Sequence, residues 1–239
     1  MRNNLLFSPL ASPQDIAVWD AKSAEAYGVP TFLLMENAAR EAMHVLKRYC
    51  QPGPELSVAV IAGGGNNGGD GISLARHLHN LGCRVLLLTL PSPGSYRGIC
   101  RKHLRMAVLA GVRVQRLSMK NGLPCLPRKW EFGKAPASVS ADAIECSRST
   151  AGTGKDMKDA SSRAGLQDTL LGTQPGVLPD VIIDAVLGAG FKAPLRPGVA
   201  TLIRQINTLR EQGTFVFSLD IPSGLGAISG RPEPEAVRA

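Results

Sequence analysis

The sequence predicts an α/β fold, a mostly parallel sheet with helices on both faces, on three observations. Short, nearly continuous apolar runs recur at residues 56–62, 83–90 and 181–186, as expected of strands buried on both sides. Segments of helical period alternate with them. Polar and glycine residues gather where the runs end, in a glycine-rich turn at 63–71, at Asp184 and at Asp220.

Ser12 ahead of Pro13 opens a first helix, its hydroxyl placed to accept from free amides and the proline preset for the first helical position. That helix runs to about residue 27 and stops at Gly28. Thr31 then caps a longer helix in which Leu34, Ala38, Ala42, Val45, Leu46 and Tyr49 recur at helical spacing. Both helices are expected to lie against a larger body. A strand over 56–62, the glycine turn, and a helix over 70–81 closed by Gly82 come next, with Asp70 as its cap. A strand over 83–90, a helix over 96–110 and a shorter strand over 112–117 continue the alternation. From 118 to 179 the rhythm fails and Gly, Pro, Ser, Thr, Ala, Lys and Asp dominate. The 118–178 stretch, above all 135–173, reads as a flexible insertion within a single domain spanning 1–239, because the strands on either side share one pattern. A strand over 181–186, a helix entered through Pro197 over 197–212 and a strand over 215–219 complete the series.

Composition narrows the function class. In 239 residues, 44% are hydrophobic and 19% charged, which suits one globular domain and excludes wholesale disorder or a collagen-like fibre. No apolar stretch approaches the roughly 20 residues of a spanning helix, and the N-terminal segment breaks at Ser8-Pro9, so neither a membrane span nor a leader is expected. Cys50, Cys83, Cys100, Cys125 and Cys146 show no paired spacing, pointing to a reducing, cytoplasmic setting rather than to zinc or a redox dithiol. The excess behind the net charge of +8 is concentrated between Arg97 and Lys134, where the basic residues from Arg101 to Lys129 fall without interleaved aromatics, which favours a solvated basic face over nucleic-acid binding.

The densest chemical signal is Gly63-Gly64-Gly65-Asn66-Asn67-Gly68-Gly69-Asp70-Gly71 between a strand and a helix. Glycines there allow a sharp turn and bring backbone amides against an anion at the helix start. The asparagines add side-chain carbonyl and amide groups that bending alone does not need, although Asn also tolerates positive φ in a tight turn. Asp184 leads into Ala185-Val186-Leu187-Gly188-Ala189-Gly190-Phe191, and Asp220 into Ile221-Pro222-Ser223-Gly224. In open parallel sheets ligands bind at the carboxyl ends of strands, so Asn67, Asp184, Asp220 and Ser223 are expected at one edge. Each alone could do no more than cap a turn.

These strings, in this order, with Leu34-Met35-Glu36-Asn37-Ala38-Ala39 in the second helix, resemble the YjeF N-terminal domain family of NAD(P)H-hydrate epimerases. The resemblance covers roughly 12–117 and 180–230. It implies a Rossmann-like three-layer αβα sandwich and interconversion of the R and S forms of NADHX and NADPHX, nicotinamide cofactors damaged by ring hydration. It places potassium ligands on Asn67, Asp184 and Ser223. Substrate contacts fall on Asn66, Asn67, Gly68, Gly69 and Asp70, on Gly188, Ala189, Gly190, Phe191, Lys192, Ala193 and Pro194, and on Asp220. Asp220 is the expected acid and base, protonating a departing hydroxyl and then receiving a proton from water returning to the other face.

The family often has threonine where Ala189 stands and an acidic residue where Gly226 stands. Its bacterial members often carry a dehydratase domain that consumes the S epimer, so functional coupling to an ADP- or ATP-dependent dehydratase is expected, as is a homodimer. A non-catalytic module binding a nucleotide, RNA or a protein on the same fold is the alternative. The segment 231–239 has two prolines and no apolar run, so the expectation is an end that lacks a strand of the family fold.

Overall fold

The computed structural model describes residues 11–134 and 178–239. Its elements are α1 (Pro13–Glu25), α2 (Thr31–Leu46), β1 (Ser57–Ala62), α3 (Asn66–Asn80), β2 (Arg84–Thr89), α4 (Gly98–Leu109), β3 (Arg113–Arg116), β4 (Ser118–Lys120), β5 (Leu123–Cys125), β6 (Val181–Ala185), α5 (Pro197–Glu211) and β7 (Phe215–Ser218), with a 3₁₀ turn at Pro93–Ser95. The five strands of the main sheet run in the order β3-β2-β1-β6-β7, all parallel, as the apolar runs predict.

Every residue of β1 and of β6 is buried, because helices cover both faces. On one face α2, α3 and α4 pack through Met35, Ala39, Leu46, Leu74, Leu78 and Leu104. On the other, α5 packs through Leu202, Ile203 and Ile206 against Ala59, Ile61, Leu86 and Ile182. Alternate residues of β1 thus belong to opposite cores, the period of a strand expressed as two layers of packing.

Several boundaries differ from expectation for local reasons. Ser12 and Asp15 form a complete capping box, as the Ser-Pro start suggests, but no residue of α1 is buried. Pro30, not Thr31, is the N-cap of α2, and no side chain caps it. The buried stripe of α2 is Met35, Ala39 and Leu46, while Val45 and Tyr49 face solvent. The helix is rotated from the expected stripe because it must bury Met35 under α3. The stretch expected to be without rhythm begins as a β4–β5 hairpin, and Trp130 is buried in the α5-side core. Residues 135–173, expected to be flexible, lie outside the described residues.

The chain after β7 docks without adding a strand to the sheet. Val237 is buried, its N–H donating to Ser223 O at 2.8 Å, and Asn207 on α5 brackets it, donating through Nδ2 to Ala236 O and accepting from Arg238 N. Gly224, at φ +94°, permits this: a Cβ there would stand 2.9 Å from Ala236 Cα.

Candidate active site

The chain leaves β1 for β2 and β3 on one side and returns to β6 and β7 on the other, so the loops after β1 and β6 part at the switch point of the sheet. A cleft of about 800 Å³ opens there, lined by Gly63 to Asn67, by Gly188 to Lys192, by Pro194 and by Asp220. Its size suits a small-molecule ligand. An adjoining recess of about 400 Å³ shares Asn66, Asn67, Ala189 and Asp220 and adds Asp70.

The glycine loop is built for close approach, not for a left-handed turn: none of its glycines has positive φ. A Cβ on Gly63 would lie 2.0 Å from Val186 O, on Gly68 2.1 Å from Gly63 O, and on Gly71 2.5 Å from Ala185 Cβ. The loop therefore packs against its own strand end and against β6, with Gly63 N–H donating to Ala185 O at 2.9 Å. Neither asparagine adopts positive φ, because Asn66 and Asn67 already form the first turn of α3. Gly65 is the N-cap and Asp70 lies inside the helix, so the expected capping role of Asp70 is not realised. The opening amides of α3 have no helical carbonyl to bind and stand beside the cleft, the arrangement that attracts anions. Buried Tyr96 clamps the loop by donating to Gly63 O at 2.9 Å, and burial pushes its hydroxyl pKa well up. Nothing in the sequence marked Tyr96, since its role depends on a contact across the sheet edge.

The Leu34–Ala39 string supports α3 from behind. A Cβ on Gly69 would meet the Met35 thioether at 2.7 Å, and Glu36 accepts from Ser73 Oγ at 2.8 Å while pairing with Arg76 and His77. Burial pushes the Glu36 carboxyl up, but hydrogen bonds from Arg76 and Ser73 and the Arg76 charge outweigh it, so its pKa falls below the usual value.

Asp184, fully buried at the end of β6, is the hub that joins three loops. Its carboxylate accepts from Ser223 Oγ at 2.6 Å, Ser223 N at 2.9 Å, Ser218 Oγ at 2.9 Å and Val186 N at 3.3 Å. Burial raises its pKa, with the Ser223 hydrogen bonds opposing, and no Arg, Lys or His neutralises it among the described residues. Leu187 ties the other two predicted ligands to it: Asn67 Nδ2 donates to Leu187 O at 2.6 Å, and Leu187 N donates to Ser223 Oγ at 2.8 Å. Asn67 Oδ1 is buried and has no hydrogen-bond partner among the described residues.

Asp220 projects from the end of β7 with φ +60°, in the left-handed region that only Gly, Asn and Asp enter readily. Its Oδ2 accepts from Ala189 N at 2.6 Å, and a Cβ on Gly188 would stand 2.6 Å from the same oxygen. Asp220, Asn66, Asn67, Gly188, Ala189, Gly190, Phe191, Lys192 and Pro194 all line the main cleft. Gly68 and Gly69 are buried behind it, Ala193 does not line it, and Asp184 and Ser223 lie buried outside its lining. Unforeseen members of the wall are Ile16, Ala17 and Asp20 of α1, and Arg196 at the start of α5. Sequence periodicity identifies these helices but not which end of the sheet they overhang.

The family model described as YjeF-related protein N-terminus matches residues 32–239. The chain belongs to this family. Within it, the chain is 30% identical over 230 residues to the bifunctional NAD(P)H-hydrate repair enzyme Nnr of Thermofilum pendens, covering 96% of this chain and 34% of that one. It is 26% identical to the NAD(P)H-hydrate epimerase of Rhodopirellula baltica, covering 100% of this chain and 75% of that one. The chain thus spans about a third of the length of the bifunctional relatives it matches. The crystal structure of yeast ynu0, YNL200c, shares the fold with a TM-score of 0.57 at 19% identity, over 91% of this chain and 72% of the yeast chain.

Proposed function

We propose that this member of the YjeF-related N-terminus family is an NAD(P)H-hydrate epimerase that interconverts R- and S-NADHX and NADPHX. The observation that carries the reading is the convergence, at one switch-point cleft, of the Asn66–Asn67 helix start, the Gly188 to Lys192 loop and the Asp220 carboxylate. In the hydrated ring the hydroxyl stands on the carbon bonded to the ring nitrogen, whose lone pair can expel it once the oxygen is protonated. Asp220 would exchange protons with that oxygen, a role supported by its place on the cleft wall and its anchoring by Ala189 N–H. Lys192 and Arg196 on the same wall, together with the free amides of α3, suit the pyrophosphate of a dinucleotide.

The residues of the Asp184 hub fit a monovalent cation such as potassium. The donor set is all oxygen, and among the described residues the buried Asp184 carboxylate has no cationic partner and the buried Asn67 Oδ1 no hydrogen bond. Asn67, Asp184 and Ser223 would hold the ion, and it would supply positive charge against Asp184 and fasten the loops after β1, β6 and β7. The S epimer would then pass to an ADP- or ATP-dependent dehydratase.

Chromatography of R- and S-NADHX mixed with this protein and an S-specific dehydratase tests the reading. The R form is expected to disappear at a rate set by this chain; consumption no faster than without it refutes the assignment. Replacing potassium with tetramethylammonium at equal ionic strength is expected to lower the Tm, since an ion bound only by the folded state stabilises it. An unchanged Tm would refute the ion site.

A further inference from the structure

Asp220 is not the only carboxyl group at this edge of the sheet. Asp70, on the second turn of α3, lines the adjoining recess together with Asp220, Asn66, Asn67 and Ala189. The two carboxyls reach this space from different layers of the fold, Asp70 from the helix after β1 and Asp220 from the loop after β7. A single residue would have to protonate a hydroxyl on one face of the flat ring and then take a proton from water on the other. Two carboxyls carried by different elements need not move.

We propose that Asp70 is a second catalytic residue of the epimerisation, paired with Asp220 so that one carboxyl gives a proton on one face of the ring while the other accepts one on the opposite face. This rests on the epimerase reading and specifies its chemistry. In one direction the Asp70 carboxylic acid donates its proton to the ring hydroxyl. The carbon–oxygen bond breaks with its electron pair going to the oxygen, which departs as water, and the nitrogen lone pair forms the carbon–nitrogen double bond of a cationic ring. Water adds to the same carbon from the other face, the double-bond pair returns to nitrogen, and the Asp220 carboxylate takes the proton released. One water leaves and one enters, and one proton has moved from Asp70 to Asp220. The pair is then set for the reverse reaction, and proton exchange with solvent restores it for another forward turn.

The surroundings of the two groups suit this pairing. Ala189 N–H donates to Asp220 at 2.6 Å and fixes its carboxyl on the cleft wall. Asp70 has no cationic neighbour among the described residues: burial first, then the negative charges of Asp220 and of Asp20 on α1, push its pKa up to about 7. The nearby Cys100 thiol is itself pushed up, by burial and then by Asp70. A proton donor available near neutrality is therefore present beside a fixed acceptor. Asp20 enters the same recess from α1, contributing to the field that keeps the Asp70 proton in place.

The experiment compares wild type, Asp70→Asn and Asp220→Asn for R-to-S and S-to-R conversion, with binding of intact NADH by fluorescence and the Tm of each variant. Asp70→Asn is expected to bind NADH like wild type and to lose roughly 100-fold or more of its turnover in both directions, as Asp220→Asn does, because the same transition state is crossed each way. Asp70→Ser, smaller and equally unable to titrate, is the companion variant should the amide disturb α3. Wild-type turnover by either folded Asp70 variant overturns the pair and leaves Asp220 acting alone. A wild-type protein inert towards both epimers overturns the epimerase reading itself, and the pair with it.

Discussion

Gly188 stands where the loop after β6 touches both of its partners, and the variant Gly188→Ala tests whether that contact serves the reaction. The added Cβ would lie 2.6 Å from Asp220 Oδ2 and 3.0 Å from Asn67 Cβ. Carbon–oxygen contacts settle at about 3.3–3.6 Å, so the Asp220 carboxylate must retreat by roughly 0.7–1 Å. That movement breaks the 2.6 Å hydrogen bond from Ala189 N–H, a loss of about 1.5–3 kcal/mol for a charged acceptor. A misplacement of about 1 Å at a reacting group costs on the order of 100-fold in rate. Gly188 has no positive φ, so alanine is not excluded by the backbone itself, and the lost freedom of the unfolded chain returns about 0.4–1 kcal/mol. The expected result is a Tm within a few degrees of wild type and an epimerase rate about 100-fold lower, read by chromatography of R- and S-NADHX. Gly53→Ala, where the new methyl meets nothing within 4 Å, is the control and keeps full activity. A Gly188→Ala protein with wild-type turnover would refute the claim that this approach positions Asp220.

Three further outcomes follow from the same structure. Glu36→Ala strips the partner from Arg76 and His77 beside fully buried His103 and is expected to cost about 3 kcal/mol, seen as a Tm drop of roughly 6–12 °C, whereas Glu36→Gln loses less. Arg196→Ala removes a cation from the cleft wall and is expected to raise KM for NADHX about tenfold with kcat within about twofold, in steady-state assays. Asp70 is pushed from 3.8 to about 7, so the folded protein holds a proton that the unfolded chain releases between those values. The stabilising contribution of protonated Asp70 is complete below pH 3.8 and is lost as pH rises through about 7. Thermal unfolding from pH 5 to 8 is expected to show the Tm of Asp70→Asn gaining on wild type up to about pH 7 and levelling off above it; a constant difference from pH 5 to 7 would contradict the shift.

The alternation of strands and helices, the parallel sheet and the three loops that meet at its edge were all legible in the sequence. They rest on local facts: residues 56–62 and 181–186 are nearly all apolar because both faces of a central strand are covered, and Asp184 and Asp220 stand at or near the ends of such runs. The Ser12–Asp15 capping box was legible at its start for the same reason, being a matter of neighbours in the chain. What the glycines of 63–71 are for was not legible. The same string permits a left-handed turn or a close approach, and only the position of Val186 O, 2.0 Å from where a Gly63 Cβ would stand, decides for the second. The rotation of α2 onto Met35, the seating of Val237 beside Ser223 and the clamp of Tyr96 on the loop likewise depend on surfaces distant in sequence. So does the pairing of Asp70 with Asp220: the two lie 150 positions apart in the numbering (220 − 70), and no periodicity relates them. Burial and charge act through space, so only the packed sheet brings the two carboxyls to one recess and lifts the proton affinity of Asp70.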